Sequence, residues 1–197
     1  MREVLQIVKE RNPHLMIDGE MRGDLAMNEA HRKEVMPDSP LNHNKIMLIG
    51  NSDSNVADEG KLHVTLHHNY FHNVVQRTPR VRFGQIHMYN NYFVSDTTNG
   101  EYAYAYSLGV GKNSQIYAEN NVADIAGKDY TSFVKVFGGK QLTAVNNMFN
   151  GKVIDTFNDT LTPVDWKPEL FTTIDPVNEV KENVLRDAGA HAHKINK

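Results

Sequence analysis

The sequence has no cysteine, which removes disulfides, thiolate metal sites and cysteine nucleophiles together. It has little net charge: 21 Lys and Arg against 24 Asp and Glu leave −3. No whole-chain basic field therefore exists to grip nucleic acid or anionic lipid. Long apolar runs are missing as well. Ile46-Met47-Leu48-Ile49 is among the longest, far short of the roughly 18 residues a membrane span needs. The start, Met1-Arg2-Glu3-Val4-Leu5-Gln6, has no apolar stretch of the kind that opens a secretion signal. There is no phosphate-binding loop and no Gly-x-Ser-x-Gly elbow. What remains is a soluble chain of 197 residues, 40% hydrophobic and 23% charged, long enough to bury a core.

Two unlike stretches make up that chain. In residues 1–41, Val4, Leu5 and Val8 recur at helical spacing until Pro13 ends the pattern. Leu15-Met16-Ile17 reads as a short strand closed by Asp18-Gly19, and a second helix is expected from about Asp24 to Val35. Such a helix–strand–helix piece is too small to bury a core alone. From residue 42 the helical period gives way to a repeat. Val64-Thr-Leu-His-His-Asn69, Ile86-His-Met-Tyr-Asn-Asn91, Ile116-Tyr-Ala-Glu-Asn-Asn121 and Leu142-Thr-Ala-Val-Asn-Asn147 share one pattern, with starts 22, 30 and 26 residues apart. Each opens on an aliphatic residue, repeats an apolar side chain two positions on, and ends in Asn. Short strands at a 20–30-residue period without intervening helices indicate a β-helix.

The recurring Asn gives that repeat a physical purpose. Asn69, Asn91, Asn121 and Asn147 are expected to take the left-handed turn between sheets and to bond one above another as an internal ladder. Tyr70/Tyr92 and Phe71/Phe93/Phe149 follow at matching offsets, which predicts aromatic stacks along the axis. Val180 to Ala188 reads as a short helix that caps or flanks the last coil. His67 and His68, with His63, His72 and His87 near them, suggest a zinc site at first sight. Strand alternation would send His67 and His68 to opposite faces, so structural hydrogen bonding is the expectation.

Lys45-Ile-Met-Leu-Ile-Gly-Asn-Ser-Asp-Ser54, followed by Val64 through Arg77-Thr-Pro-Arg80-Val-Arg82-Phe-Gly84, closely resembles the second half of the pectate lyase family. The resemblance runs from about residue 43 to about 190 and includes Ser107-Leu-Gly-Val-Gly-Lys. It implies an all-β, right-handed parallel β-helix, here truncated. It also implies cleavage of polygalacturonate by calcium-assisted β-elimination. Residues 1–41 resemble instead a fragment of the phosphate acetyltransferase-type domain of malic enzymes, with Pro13-His-Leu-Met-Ile-Asp-Gly-Glu-Met and Met36-Pro-Asp-Ser-Pro-Leu41 carrying the likeness. The chain therefore reads as chimeric: a foreign segment at 1–41, then a lyase-like stretch at 42–197.

β-Elimination beside a uronate requires removal of the C5 proton, neutralisation of the carboxylate and stabilisation of enolate-like charge. Arginine suits the last two tasks, because its planar fork matches a carboxylate with two parallel hydrogen bonds. Arg77, Arg80 and Arg82 place three guanidiniums within six positions. By resemblance, Arg77 matches the family's proton-abstracting arginine, while Lys45 and Arg82 match its substrate-carboxylate binders. Arg80 is either a further substrate contact or a structural group. A free arginine stays protonated, so service as a base demands cationic, desolvated surroundings.

Calcium is the implied cofactor, yet the family's acidic ligands lie upstream of the position matching Lys45. Asp53, Asp58 and Glu59 are better read as turn carboxylates. Weak or absent turnover is therefore expected, and the alternative is a non-catalytic pectin-binding or inert β-helix fragment. A hydrolase would need two carboxylates flanking the bond, and no such pair stands out. Polygalacturonate is the expected partner, and nucleic acid and membrane are not. An extracellular location follows from the resemblance. The chain is expected to be monomeric, with an aggregation risk at its exposed first coil.

Overall fold

The computed structural model describes residues 45–95, 103–169 and 173–188. The elements expected in residues 1–41, and the junction after them, lie outside the described residues. The rest winds as four coils, each adding one strand to each of three sheets. The first coil holds β1 (Leu48–Ile49), β2 (His63–His67) and β3 (Tyr70–His72). The second holds β4 (Arg80–Val81), β5 (Gln85–Tyr89) and β6 (Tyr92–Ser95). The third holds β7 (Leu108–Gly111), β8 (Gln115–Glu119) and β9 (Val122–Ile125). The fourth holds β10 (Val134–Phe137), β11 (Gln141–Val145) and β12 (Asn147–Phe149). The sheet orders β1-β4-β7-β10, β2-β5-β8-β11 and β3-β6-β9-β12 define a parallel β-helix, and β13 (Lys152–Ile154) folds back antiparallel on β12.

Alternation along the strands decides what lies inside. Val81, Ile86, Val110, Ile116 and Ala118 are fully buried, and Leu66, Met88 and Leu142 stack with them between the sheets. Each fully buried aliphatic side chain contributes roughly 1.5–3 kcal/mol. The asparagine ladder forms as expected. The Asn69, Asn91 and Asn121 side-chain amides donate to the side-chain oxygens of Asn91, Asn121 and Asn147 at 2.8, 2.9 and 2.9 Å. The same oxygens accept the backbone N–H of the preceding ladder residue.

The turn geometry differs from expectation. Positive φ falls not on the ladder residues but on the residue before each: His68, Asn90, Asn120 and Asn146, at 53°, 51°, 47° and 48°. In each Asn-Asn pair the first residue turns the corner and the second points inward. The short polar side chain that tolerates αL does so at the outer position.

Two stacks follow their offsets: Tyr70 on Tyr92 at 5.5 Å and Phe71 on Phe93 at 4.7 Å. The second does not continue directly to Phe149, because Ala123 occupies that position in the third coil. Phe133, from the short 3-10 turn Tyr130–Phe133, fills the space beside Ala123 and meets Phe93 and Phe149 at 5.0 and 6.1 Å.

After β13 the chain crosses the outside of the second sheet, where the Val164 N–H donates to Thr143 Oγ1 and Trp166 lies against Tyr117. It ends in α1 (Val177–Asp187), which flanks the third sheet by burying Val177, Val180 and Val184 against Tyr92 and Val122. Among the described residues no helix is long and apolar enough to cross a membrane.

Candidate functional site

The first sheet carries the cations. Lys45 is exposed and bridges to Gln76, the residue before Arg77. The Met47 N–H donates to the Arg77 carbonyl at 2.9 Å, and the Arg80 and Arg82 N–H groups donate to the carbonyls of Met47 and Ile49. Coil one is thus laid alongside the whole arginine segment. Arg77 and Phe83 stand at positive φ on either side of β4, and Thr78–Pro79 is cis. Val81 between them is fully buried, so Arg80 and Arg82 project from the opposite, outer face.

Each arginine then finds a different environment. Arg82 donates from Nε to Asp53 Oδ1 at 2.6 Å and from Nη1 to the Asn51 carbonyl at 2.8 Å. Arg80 makes no ion pair among the described residues, and its guanidinium carbon lies 4.1 Å from the centroid of the Phe137 ring. Burial first, then Arg82 and Arg77, hold Arg80 below the ordinary arginine value. The Nε atoms of Arg77 and Arg80 are buried without a hydrogen-bond partner. Arg77 and Arg80, each with an unpartnered Nε, on the segment paired with that of Lys45 are chemically suited to an anion, above all a planar carboxylate.

The contacts that surround these arginines cannot be read along the chain. Asp53 clamps Arg82, and its own backbone carbonyl accepts from Lys112 Nζ at 3.0 Å. Gly109 and Gly111 leave the third coil bare. A Cβ on Gly109 would stand 2.9 Å from Arg80 Cγ, and one on Gly111 would stand 2.2 Å from the Val81 carbonyl oxygen. Phe137 supplies the ring under Arg80. Only the register of four coils brings these residues together.

The residues do not fit a calcium ion, which takes six to eight oxygens. Among the described residues no group of three or more His, Asp or Glu side chains could hold a metal. The nearby carboxylates are already engaged: Asp53 with Arg82, Asp58 with the Asn51 N–H, and Glu59 with the Asn113 side chain. Asp58 alone serves its own turn, whereas Asp53 and Glu59, expected to do the same, reach across to Arg82 and Asn113 in later coils.

His67, His68 and His87 take part in hydrogen bonds, but the geometry of His67 and His68 is not the expected one. His68 sits in αL, so strand alternation stops there, and its Nδ1 meets Nδ1 of His67 at 2.8 Å rather than pointing to the other face. His68 continues to Asp175 at 3.3 Å, and His87 pairs with Glu119 at 2.7 Å. Beside them a ladder of Gln85, Gln115 and Gln141 links three coils at 2.8 and 3.0 Å. The sequence signals that ladder by placing each Gln one residue before the aliphatic start of its repeat.

A parallel β-helix with a cationic outer sheet is the class of protein that fold and site define. Comparison with known proteins is more specific. The pectate lyase family model matches residues 39–183, and the chain belongs to the pectate lyase family over that stretch. It is 45% identical over 151 residues to a pectate lyase of Bacillus subtilis, covering 75% of this chain and 36% of that protein. It is 35% identical over 153 residues to pectate lyase A of Dickeya chrysanthemi, covering 75% of this chain and 39% of that one. A solved pectate lyase bound to a hexasaccharide superposes with a TM-score of 0.72 at 44% identity, covering 74% of this chain and 37% of that one. The chain thus spans little more than a third of the length of these relatives. A separate model, phosphate acetyl/butaryl transferase, matches residues 1–50. There the chain is 84% identical over 49 residues to the NADP-dependent malic enzyme of Haemophilus influenzae, covering 25% of this chain and 6% of that enzyme.

Proposed function

We propose that the outer face of the first sheet grips polygalacturonate and serves its cleavage by β-elimination. What supports this reading is the backbone pairing of Lys45 with Gln76, the neighbour of Arg77, and the outward Arg80 and Arg82, in a chain of the pectate lyase family. In the proposed reaction Lys45 and Arg82 bind and neutralise the uronate carboxylate, which acidifies the C5 proton. Arg77 takes that proton, the C4–oxygen bond breaks to leave a C4–C5 double bond, and the departing oxygen takes a proton from water to become the hydroxyl of the released saccharide. Arg80 is held against Phe137 and keeps positive charge beside the developing enolate. Arg82 must exchange Asp53 for substrate, and Asp53, 59% exposed, is free to turn to water when it does.

Calcium belongs to this proposal only as something supplied from outside the described residues, since the carboxylates present are otherwise engaged. Turnover by this chain is accordingly proposed to be weak. That same observation favours a second reading, in which the chain binds pectin without turning it over. An extracellular place of action follows from the polymer and is part of the same proposal.

The test is to add polygalacturonate and calcium to the full chain and follow the ultraviolet absorbance of unsaturated product. A slow rise that vanishes in Arg77→Lys is expected for the lyase. Binding with no rise selects the pectin-binding reading. New reducing ends without unsaturation would identify a hydrolase and refute both.

A further inference from the structure

The corner between the first and second sheets is built differently in coil one. It takes three residues in coils two, three and four, at 82–84, 112–114 and 138–140, but runs from 50 to 62 in coil one. The longer corner folds on itself: the Asn51 N–H donates to Asp58 Oδ2 at 3.1 Å, and a short 3-10 turn spans Val56–Asp58. Two contacts then fasten it, past coil two, to the corner of coil three. Lys112 Nζ donates to the Asp53 carbonyl at 3.0 Å, and Asn113 Nδ2 donates to Glu59 Oε1 at 2.9 Å. Coil two lies between, with the Phe83 N–H donating to the Lys112 carbonyl at 2.8 Å. Lys112 makes no ion pair among the described residues, so its ammonium is committed to the Asp53 backbone. Asp53 is therefore held twice, by its carbonyl from coil three and by its carboxylate from Arg82 in coil two.

We infer that Lys112 is a positioning residue that tethers Asp53 as an internal competitor for Arg82, so that the loop at 50–62 sets how tightly the site holds a uronate. This rests on the polygalacturonate reading above and adds to it a device that weakens binding and favours release. Lys112 touches no substrate in this account and acts only through Asp53. The physical reason is effective concentration. The Asp53 carboxylate is the same chemical group as that of a uronate, and whichever holds Arg82 excludes the other. A carboxylate tied down a few bonds away competes as if present at roughly millimolar concentration or above, whatever the solution contains. The Asp53 side chain is 59% exposed, so it swings to water when a uronate arrives while its carbonyl stays on Lys112. Held there, it returns to Arg82 as product leaves. Without the tether the loop spends less time against coil two, and Arg82 is left open to substrate for longer.

A double-mutant cycle on the full 197-residue chain, read by titration calorimetry with digalacturonate, tests this. Lys112→Met should tighten binding about two- to threefold, within the range of one exposed ionic contact. In an Asp53→Asn background the same substitution should change nothing, because no competitor is left to tether. Lys112→Arg keeps a donor and should bind as the wild type does. A second readout needs no saccharide: cleavage by the glutamate-specific protease Glu-C after Glu59 should be faster in Lys112→Met and unchanged in Lys112→Arg. The inference is overturned if Lys112→Met shifts affinity by the same factor in both backgrounds, or leaves both affinity and cleavage as they were. Weaker binding in Lys112→Met overturns it too, because Lys112 would then hold the saccharide itself. If the wild type does not bind digalacturonate, the polygalacturonate reading fails first and this inference falls with it.

Discussion

Arg82 and Arg80 are two positions apart and live differently: one is clamped to Asp53 at 2.6 Å, the other is laid on Phe137 at 4.1 Å. The three arginines stand out by residue type and spacing, but the roles expected of Lys45, Arg77 and Arg82 rest on the family resemblance. Their partners do not stand out, since Asp53 and Arg82 are 29 residues apart and Phe137 reaches Arg80 across a whole coil. Asp53 competes with a substrate carboxylate for the same guanidinium. Asp53→Asn should therefore tighten hexagalacturonate binding by about two- to fivefold, read by calorimetry, and unchanged or weaker binding would count against the exchange. Gly111 is a second residue whose role only the structure shows. Its missing Cβ would stand 2.2 Å from backbone oxygen, which cannot yield as a flexible side chain could. Gly111→Ala should cost about 1–3 kcal/mol in denaturant unfolding, and a change within about 0.5 kcal/mol would show the coil to be more compliant than described.

At the scale of elements, the repeat was legible because asparagine keeps a constant offset from each strand start. The exchange of roles within each Asn-Asn pair was not, since the two residues are chemically identical and only the corner geometry tells them apart. His68 in the first coil, standing where Asn stands in the other three, was the available clue. The ladder makes an ordered prediction. Asn121 accepts two hydrogen bonds through one oxygen and donates to Asn147 and to the Met88 carbonyl. Asn69 lies at the ladder's end and only donates within it. Leaving buried donors unpaired costs about 1–3 kcal/mol each, so Asn121→Leu should lower unfolding free energy by about 2–4 kcal/mol and Asn69→Leu by clearly less. Equal losses would contradict the ladder's direction.

The second sheet adds a pH dependence. Burial first, then His68 and His87, keep His67 below its ordinary value of 6.5. As pH falls, the unfolded chain takes up this proton before the folded one does. The contribution of neutral His67 is therefore whole above about 6.5 and is lost progressively below it. Denaturant midpoints measured at about pH 7.5 and about pH 5.5 should differ more for the wild type than for His67→Asn. The same difference in both would assign the acid loss elsewhere.

At the scale of the molecule, four coils form a complete cross-section but a short length of the solenoid their relatives build. The first coil supplies the end strand of all three sheets among the described residues. Two unrelated resemblances run along the sequence, and the two family matches, at 1–50 and 39–183, overlap at 39–50. The central claim is that the outer face of β1-β4-β7-β10 holds acidic saccharide. A crystal structure of the chain with hexagalacturonate tests it most directly. The account predicts sugar on that face, with one carboxylate between Lys45 and Arg82 and the Asp53 side chain displaced. Saccharide bound on either of the other two sheets, with Arg82 still held by Asp53, would contradict it.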